Sequence, residues 1–388
     1  MEKATTYLDT KIKNTCNGCG VCTLVCAKEC IKMAEDKEGF LYPEIDENRC
    51  IHCGKCRRFC ANFNNKTEQN EKAYIAINNS KKQLLESSSG GMFYILAEYT
   101  IKNGGVVFGV TYNKELNAIH EYAEDIEECK KFCGSKYVRS DLNDSYMKVK
   151  DFLNNDRYVL FTGTACQISG LKKFLGKDYE KLILCDILCH ANPSPKVYKL
   201  YIKNLEKISK KKVKNILFRS KENGWRNQTP IIEYEDGSKV EENSYFNAFV
   251  NEMINRPSCY NCQFASKRRI TDFTIGDFWG IEKVAPEIDT TNGVSLININ
   301  SVKGNKIFNI IKSKMIIKEV DYDLACSFNH YRNVKEHRYR NKFFEGISSG
   351  TINEENIINY MNNYTKIPLY RKAIRKMKKI VKKVIRKI

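Results

Sequence analysis

No run of about 18 apolar residues occurs in this chain of 388, whose mean hydropathy is −0.50, so a bilayer-spanning helix is not expected. The opening MEKATTYLDTKIKN lacks the apolar stretch of a secretory signal, and a cytoplasmic protein is the expectation. No recognisable DNA- or RNA-binding module accompanies the net charge of +19, so specific nucleic-acid recognition is not expected. Acid is absent from the segment 356–388, which holds eleven Lys and Arg and therefore most of the excess charge.

Cysteine, by contrast, is abundant. Seventeen thiols in a chain without an export signal are not a disulfide framework, because the cytosol keeps thiols reduced. Free thiols at that density point to metal. Nine of them fall between residues 16 and 60, and there CNGCGVCTLVC (Cys16, Cys19, Cys22, Cys26) and CIHCGKCRRFC (Cys50, Cys53, Cys56, Cys60) repeat one spacing, C-x2-C-x2-C-x3-C, at an offset of 34.

Three closely spaced thiolates in a tight loop reach three irons of one cubane and leave the fourth iron to a cysteine at the start of a helix in the other half. The expected sets are Cys16, Cys19, Cys22 with Cys60, and Cys50, Cys53, Cys56 with Cys26, each around a 4Fe-4S cluster. Gly18, Gly20 and Gly54 suit loops that bring backbone N–H groups close to sulfide. Zinc is the competing ion, but a zinc site of four thiolates uses two CxxC pairs and has no use for a third CxxC step followed by x3, twice. Alanine stands at 27 and 61, where bacterial ferredoxin motifs usually carry a proline that shapes the turn without ligating. Cys30 is surplus to the eight and reads as a small apolar filler.

A polar stretch, NFNNKTEQNEK at 62–72, reads as a linker. Beyond it come a strand, AYIAI, a turn, SSSGG at 87–91, an apolar-faced helix and a second strand, VVFGVTY. A small-residue turn at a helix N-terminus either holds a flavin or dinucleotide phosphate, with Ser89, Gly90 and Gly91 as candidates, or is a serine cap. EDIEECKKFCG places Cys129 and Cys133 four apart on an expected helix, as packing residues. In the following GSKYVRSD, Lys136 is a candidate for meeting an anionic cofactor.

Next, strand RYVLF, turn TGTAC, helix, strand KLILCDIL, turn CHANPSP and helix alternate as a parallel sheet requires, and ligands then gather beyond the strand C-termini. Cys166 and Cys189 belong to that edge, while Cys185 belongs to the core. Cys166 has three readings: nucleophile, metal ligand or core residue. The sequence places no base or positive group beside it, which weighs against a nucleophile. Small Gly163 and Thr164 let the backbone approach a bulky group. RPSCYNCQFA then supplies Cys259 and Cys262 as a CxxC, either half a metal site or a redox dithiol, and two strand-end cysteines plus this pair make four. In GDFWG, Asp277 and Trp279 read as a cofactor contact and an aromatic stack, or as turn and core residues.

SSSGGMF, GSKYVRSD, GTACQISGLKKF, DILCHANPSPKVY and CYNCQFASKRRITDFTIGDFWG together resemble the signature segments of the coenzyme F420 hydrogenase/dehydrogenase beta-subunit family, in a bacterial form fused to an N-terminal ferredoxin. The resemblance runs from about Cys16 to about Asn298. Ala191 replaces a usual glycine, and GTACQ the commoner GTPCQ. The resemblance implies an α+β chain: a dicluster ferredoxin-like module (1–66), the family's N-terminal (72–150) and C-terminal (151–350) domains forming an α/β flavin- and cluster-binding body with a mixed or parallel sheet, and a basic amphipathic tail (356–388). It also implies an FAD and a 4Fe-4S cluster near it, the latter matching Cys166, Cys189, Cys259 and Cys262.

The function implied is an iron-sulfur flavoprotein oxidoreductase. Electrons from ferredoxin or another carrier pass through the clusters to FAD, then to an F420-like deazaflavin or an unidentified substrate, such as one of a polysaccharide pathway. The alternative is a non-catalytic subunit relaying electrons to a partner enzyme. No catalytic side chain is assigned; His190 reads either as a proton donor to product or as structural. In the tail, Ile374, Met377, Val381, Val384, Ile385 and Ile388 form an apolar stripe among cations, the pattern of a helix lying peripherally on the inner face of a membrane or docking on an acidic partner.

Overall fold

The computed structural model describes residues 6–63, 72–227 and 229–366. Along the chain its strands are β1 (Ile31–Glu35), β2 (Leu41–Ile45), β3 (Lys72–Asn78), β4 (Val106–Tyr112), β5 (Ala118–Ala123), β6 (Val159–Thr164), β7 (Leu182–Ile187), β8 (Val213–Leu217), β9 (Ile231–Tyr234), β10 (Lys239–Glu241), β11 (Phe273–Asp277), β12 (Ser295–Ile299) and β13 (Met315–Val320). The antiparallel pair β1–β2 lies between the two cysteine loops, each of which runs into one turn of helix, Val21–Leu24 or Lys55–Arg58.

The body is built on an eight-stranded mixed sheet in the order β13-β3-β12-β11-β7-β6-β4-β5. Its centre, β11-β7-β6-β4, is parallel, and antiparallel strands flank it on both sides. The central strands are apolar nearly throughout because helices cover both faces, and such strands need no alternation. Met92–Lys102 and Val302–Ile311 pack on one face; Ser145–Asn154 and Ala165–Leu175 pack on the other. A separate sheet, β10-β9-β8, packs with the helices Pro195–Ser209, Ser244–Val250 and Ile357–Thr365 around a tyrosine- and phenylalanine-rich core. The architecture is the mixed α/β body with a ferredoxin-like N-terminal region that the sequence implies.

The expected helix through Cys129 and Cys133 does not form. Glu128–Phe132 is a 3-10 turn, and Cys133 leaves it extended, at φ −65° and ψ 155°. Packing decides this: Phe132 seats its ring on Gly109 of β4, where a Cβ would come within 2.5 Å of it, and a continued α-helix would lift the ring away. No helix among the described residues is long and apolar enough to cross a membrane. The basic amphipathic stripe from Ile374 onward lies outside the described residues.

Candidate redox centre

In the N-terminal region the thiols sort into the two crossed sets. Cys16, Cys19, Cys22 and Cys60 line one cavity, which Cys56 also borders. Cys26, Cys50, Cys53 and Cys56 line a second, together with Cys30. Gly20 and Gly54 take φ of 73° and 69° at the helix starts, so the chain can turn from loop to helix within one residue. Backbone N–H groups point at sulfur: that of Gly18 lies 3.3 Å from Cys16 Sγ. Burial, followed by the like charges of Cys16 and Cys60, outweighs the N–H of Val21 and pushes the Cys19 thiol up to about 12. Thiols crowded this way release their protons together only to a cation, which is how metal binding couples to ionisation.

Cys30 is buried, as a filler should be, but its sulfur lies 3.4 Å from Cys26 Sγ. It is therefore part of the outer thiol set and not a packing residue alone.

The second grouping lies at the C-terminal edge of the parallel strands. β6 ends at Thr164, and the helix Ala165–Leu175 starts at once because Gln167 Oε1 accepts from both the N–H (3.1 Å) and Oγ1 (2.9 Å) of Thr164. Cys166 therefore stands in the first turn of that helix. Cys189 follows two residues after β7, and the 3-10 turn Pro257–Asn261 brings Cys259 and Cys262 beside it. The four thiols line one cavity, with Thr164, His190, Asn192 and Arg269. The Asn192 N–H lies 3.3 Å from Cys259 Sγ. Burial and the neighbouring Cys259, Cys166 and Cys262 hold the Cys189 thiol far above its usual range; burial likewise pushes Cys259 up to about 12. Beneath them the fully buried Asp186 of β7 binds Arg269 at 3.0 Å, Thr271 at 2.8 Å and Thr274 at 2.5 Å. Breaking such a buried pair costs about 3–5 kcal/mol, so the guanidinium is fixed beside the thiols.

The N-terminal module docks directly on this edge. Ser169 Oγ donates to Ala61 O at 2.7 Å, and Gly170 lies so close that a Cβ there would come within 3.0 Å of Cys19 Cβ. Arg139 fills the seam. Its Nη2 donates to Gly18 O at 2.7 Å, and its guanidinium faces the Cys166 thiol.

A larger cavity, about 790 Å³, opens between the main sheet and β8. Ser87, Ser88, Lys130, Lys136, Arg219 and Lys221 are among its lining residues. Arg219 is buried and pairs with Asp277 at the end of β11, which also accepts from Trp225 Nε1 at 3.0 Å. Among the described residues Arg219 Nη2 has no hydrogen-bond partner. Burial lowers Lys136 and Lys221 to about 8, although each ammonium donates to two backbone carbonyls. Buried cations with spare donors in a cavity of this size fit a dinucleotide diphosphate.

The site residues expected from sequence divide accordingly. Lys136 lines the large cavity, and Asp277 reaches it through Arg219. Ser89 Oγ donates to Val294 O at 2.8 Å, and the Gly90 N–H donates to Ser295 Oγ at 2.9 Å, so this part of the turn is tied to β12. Gly91 caps the helix Met92–Lys102 at φ 82°. Gly163 and Thr164 lie with the Cys166 group, where Thr164 Oγ1 sits 3.2 Å from Cys166 Sγ. Trp279 stacks on Trp225 at 5.4 Å. His190 binds Glu252 at 2.6 Å and stands edge-on to Phe249. Arg139, Arg219, Lys221 and Arg269 escaped the sequence reading, because a basic residue carries no spacing signal of its own; only Arg139 and Arg269 fall within the signature segments.

Two stretches of the chain match known family models. Residues 156–324 match the family model for the C terminus of the coenzyme F420 hydrogenase/dehydrogenase beta subunit, and residues 15–63 match that for a 4Fe-4S dicluster domain. No curated protein matches the chain. Among solved structures, a chain of the F420-reducing [NiFe] hydrogenase complex from Methanosarcina barkeri, studied by xenon derivatization, is similar at 15% identity and a TM-score of 0.45, over 76% of this chain and 92% of its own. The chain therefore carries a 4Fe-4S dicluster domain ahead of a domain that matches the C terminus of the F420 hydrogenase/dehydrogenase beta subunit. It is an iron-sulfur electron-transfer protein of the oxidoreductase type.

Proposed function

We propose that the chain is a flavin-dependent reductase with three 4Fe-4S clusters. Cys16, Cys19, Cys22 and Cys60 hold an inner cluster, Cys26, Cys50, Cys53 and Cys56 an outer one, and Cys166, Cys189, Cys259 and Cys262 a third. FAD occupies the 790 Å³ cavity. The observation that carries this reading is the convergence of the four late cysteines, from three separate segments, on one cavity directly behind the dicluster module. When bound, the clusters carry single electrons and the flavin stores two, so the chain joins one-electron donors to two-electron chemistry.

The protein's own groups account for the arrangement. Cys53 is exposed, so the outer cluster is the one open to a ferredoxin-type donor. Arg219, Lys136 and Lys221 grip the diphosphate. Tyr137, whose hydroxyl lies 3.4 Å from Arg219 Nη1, packs on Phe249 at 5.0 Å, and Phe249 meets His190, the residue after Cys189. Aromatic packing thus fills the space between the flavin cavity and the third thiol set and keeps water out of it. The segments 1–66, 72–150 and 151–350 act as cluster module and two halves of the flavin body. The substrate is a deazaflavin of the F420 type or another oxidised small molecule. In the second reading the flavin passes its electrons to a partner enzyme.

Anaerobic purification followed by iron, sulfide and flavin analysis tests the proposal. About 12 iron atoms and one FAD per chain are expected for three cubanes. Stoichiometric zinc without flavin sinks it. Cys166→Ser should remove about four irons, one cubane's worth; unchanged iron with lost activity would make Cys166 a nucleophile instead. Oxidation of the reduced protein by F420 or a sugar-derived acceptor, with no partner present, separates reductase from relay.

A further inference from the structure

Four buried arginines stand near the proposed cofactors, and each has conventional company; Arg139 is half-buried. Arg219 pairs with Asp277, Arg269 with Asp186 and Arg340 with Glu38; Arg256 donates to Cys16 O and Leu41 O and lies 4.2 Å from the centre of the Tyr42 ring. Among the described residues no carboxylate pairs with Arg139, and, as in Arg256, its Nη1 is buried with no partner that meets hydrogen-bond geometry. A buried guanidinium nitrogen left so is costly unless an anion is supplied. The thiols that act on its charge are Cys166 of the late set and Cys19 of the inner dicluster set. Nη2 meanwhile clamps Gly18 O at 2.7 Å, and the N–H of Gly18 points at Cys16 Sγ.

We infer that Arg139 is shared by the inner dicluster-module cluster and the third cluster, as the positioning residue that fixes their seam and sets both reduction potentials together. The inference rests on the ligand assignment above. A cubane held by four thiolates is an anion and gains one more negative charge on reduction. A guanidinium desolvated between two such anions stabilises the reduced form of each, raising both potentials. The planar fork allows this, since its N–H groups diverge in one plane and can serve partners on two sides, whereas an ammonium is a point charge. No thiol of the outer set is among the groups that act on the charge of Arg139.

The test is an EPR-monitored redox titration of the whole, cluster-loaded chain and of Arg139→Met, with Cys53→Ser and Cys166→Ser samples to assign the outer and third signals. Both inner potentials should fall, each by at least tenfold in the one-electron equilibrium, about 59 mV, while the outer one holds. Unmoved inner potentials, a fall in only one of them, or an equal fall in all three overturns the inference. If Arg139→Met fails to load iron, Arg139→Lys decides: one inner potential should fall and the other hold, and both holding overturns it. The iron content of the unaltered chain is measured first. Fewer than three cubanes there strikes the ligand assignment and this inference with it, whereas full iron with unmoved potentials strikes Arg139 alone.

Discussion

Replacing Arg219 with methionine should cost the chain its grip on the FAD diphosphate while sparing its grip on the flavin ring. The Arg219 side chain is only 3% exposed, and Asp277 holds one edge of its guanidinium, leaving Nη2 without a hydrogen-bond partner among the described residues. Burial disfavours its charge, but Asp277 and Tyr137 outweigh that and keep it firmly protonated. A hydrogen bond to a charged group contributes about 1.5–3 kcal/mol. At about 1.4 kcal/mol per decade, Arg219→Met should weaken FAD about 10- to 150-fold. The single variant also strands Asp277, a fault worth about 3–5 kcal/mol in a buried pair. Arg219→Met with Asp277→Asn removes that charge and keeps an acceptor for Trp225 Nε1, which lies 3.0 Å from Asp277 Oδ1. Flavin-stripped protein is titrated anaerobically with FAD and, in parallel, with riboflavin, following the loss of flavin fluorescence. The double variant should lose FAD affinity and keep riboflavin affinity. Equal losses for both ligands, or FAD binding within twofold of the unaltered chain, would refute the placement of the diphosphate at Arg219.

Three further outcomes follow from the same geometry. Burial holds Lys136 and Lys221 near 8, and a diphosphate prefers them charged, so FAD affinity should be level below about pH 8 and fall above it, by up to tenfold per pH unit for each lysine; titrations at pH 7 and pH 9 check the sign, and level affinity refutes it. Burial opposes ionisation of Cys26, but the N–H groups of Cys30, Lys28 and Glu29 and the Cys30 thiol prevail and lower it, while that same hydrogen bond to Cys26 raises Cys30 to about 11. Cys26 is thus the ready ligand and Cys30 the thiol that donates to it: Cys30→Ala should keep all the iron, and Cys26→Ser should lose about four atoms, by iron analysis. At Gly170 an added Cβ would come within 2.6 Å of Tyr146 Oη and 3.0 Å of Cys19 Cβ, so Gly170→Ala should loosen the docked module, at a cost of about 1–3 kcal/mol, and show as faster loss of iron to a chelator.

What the sequence made legible was whatever one segment encodes by itself. The crossed thiol sets follow from spacing within 45 residues, and Cys166 and Cys189 fell at a sheet edge because alternating strands and helices leave few other places for a strand-end residue. Cys30 is buried as a filler should be, but no spacing says which way a fifth thiol turns; the φ of 48° at Glu29 turns the chain back so that its sulfur meets Cys26. The helix through Cys129 and Cys133 failed because a glycine in β4, distant in sequence, receives the Phe132 ring. The large cavity was the least legible part. Its cations come from the 3-10 turn Glu128–Phe132, from Lys136 just after Gly134 and from the loop after β8, and nothing marks Arg219 in ILFRSKEN as different from the many other basic residues of the chain. Asp277 provides the missing link, since a carboxylate at the end of a central parallel strand sits where ligands gather, and the cation it selects there is structurally singled out. A half-buried acid at a parallel-sheet edge therefore identifies its arginine, and the arginine nitrogen left without a hydrogen-bond partner among the described residues marks where an anionic ligand belongs.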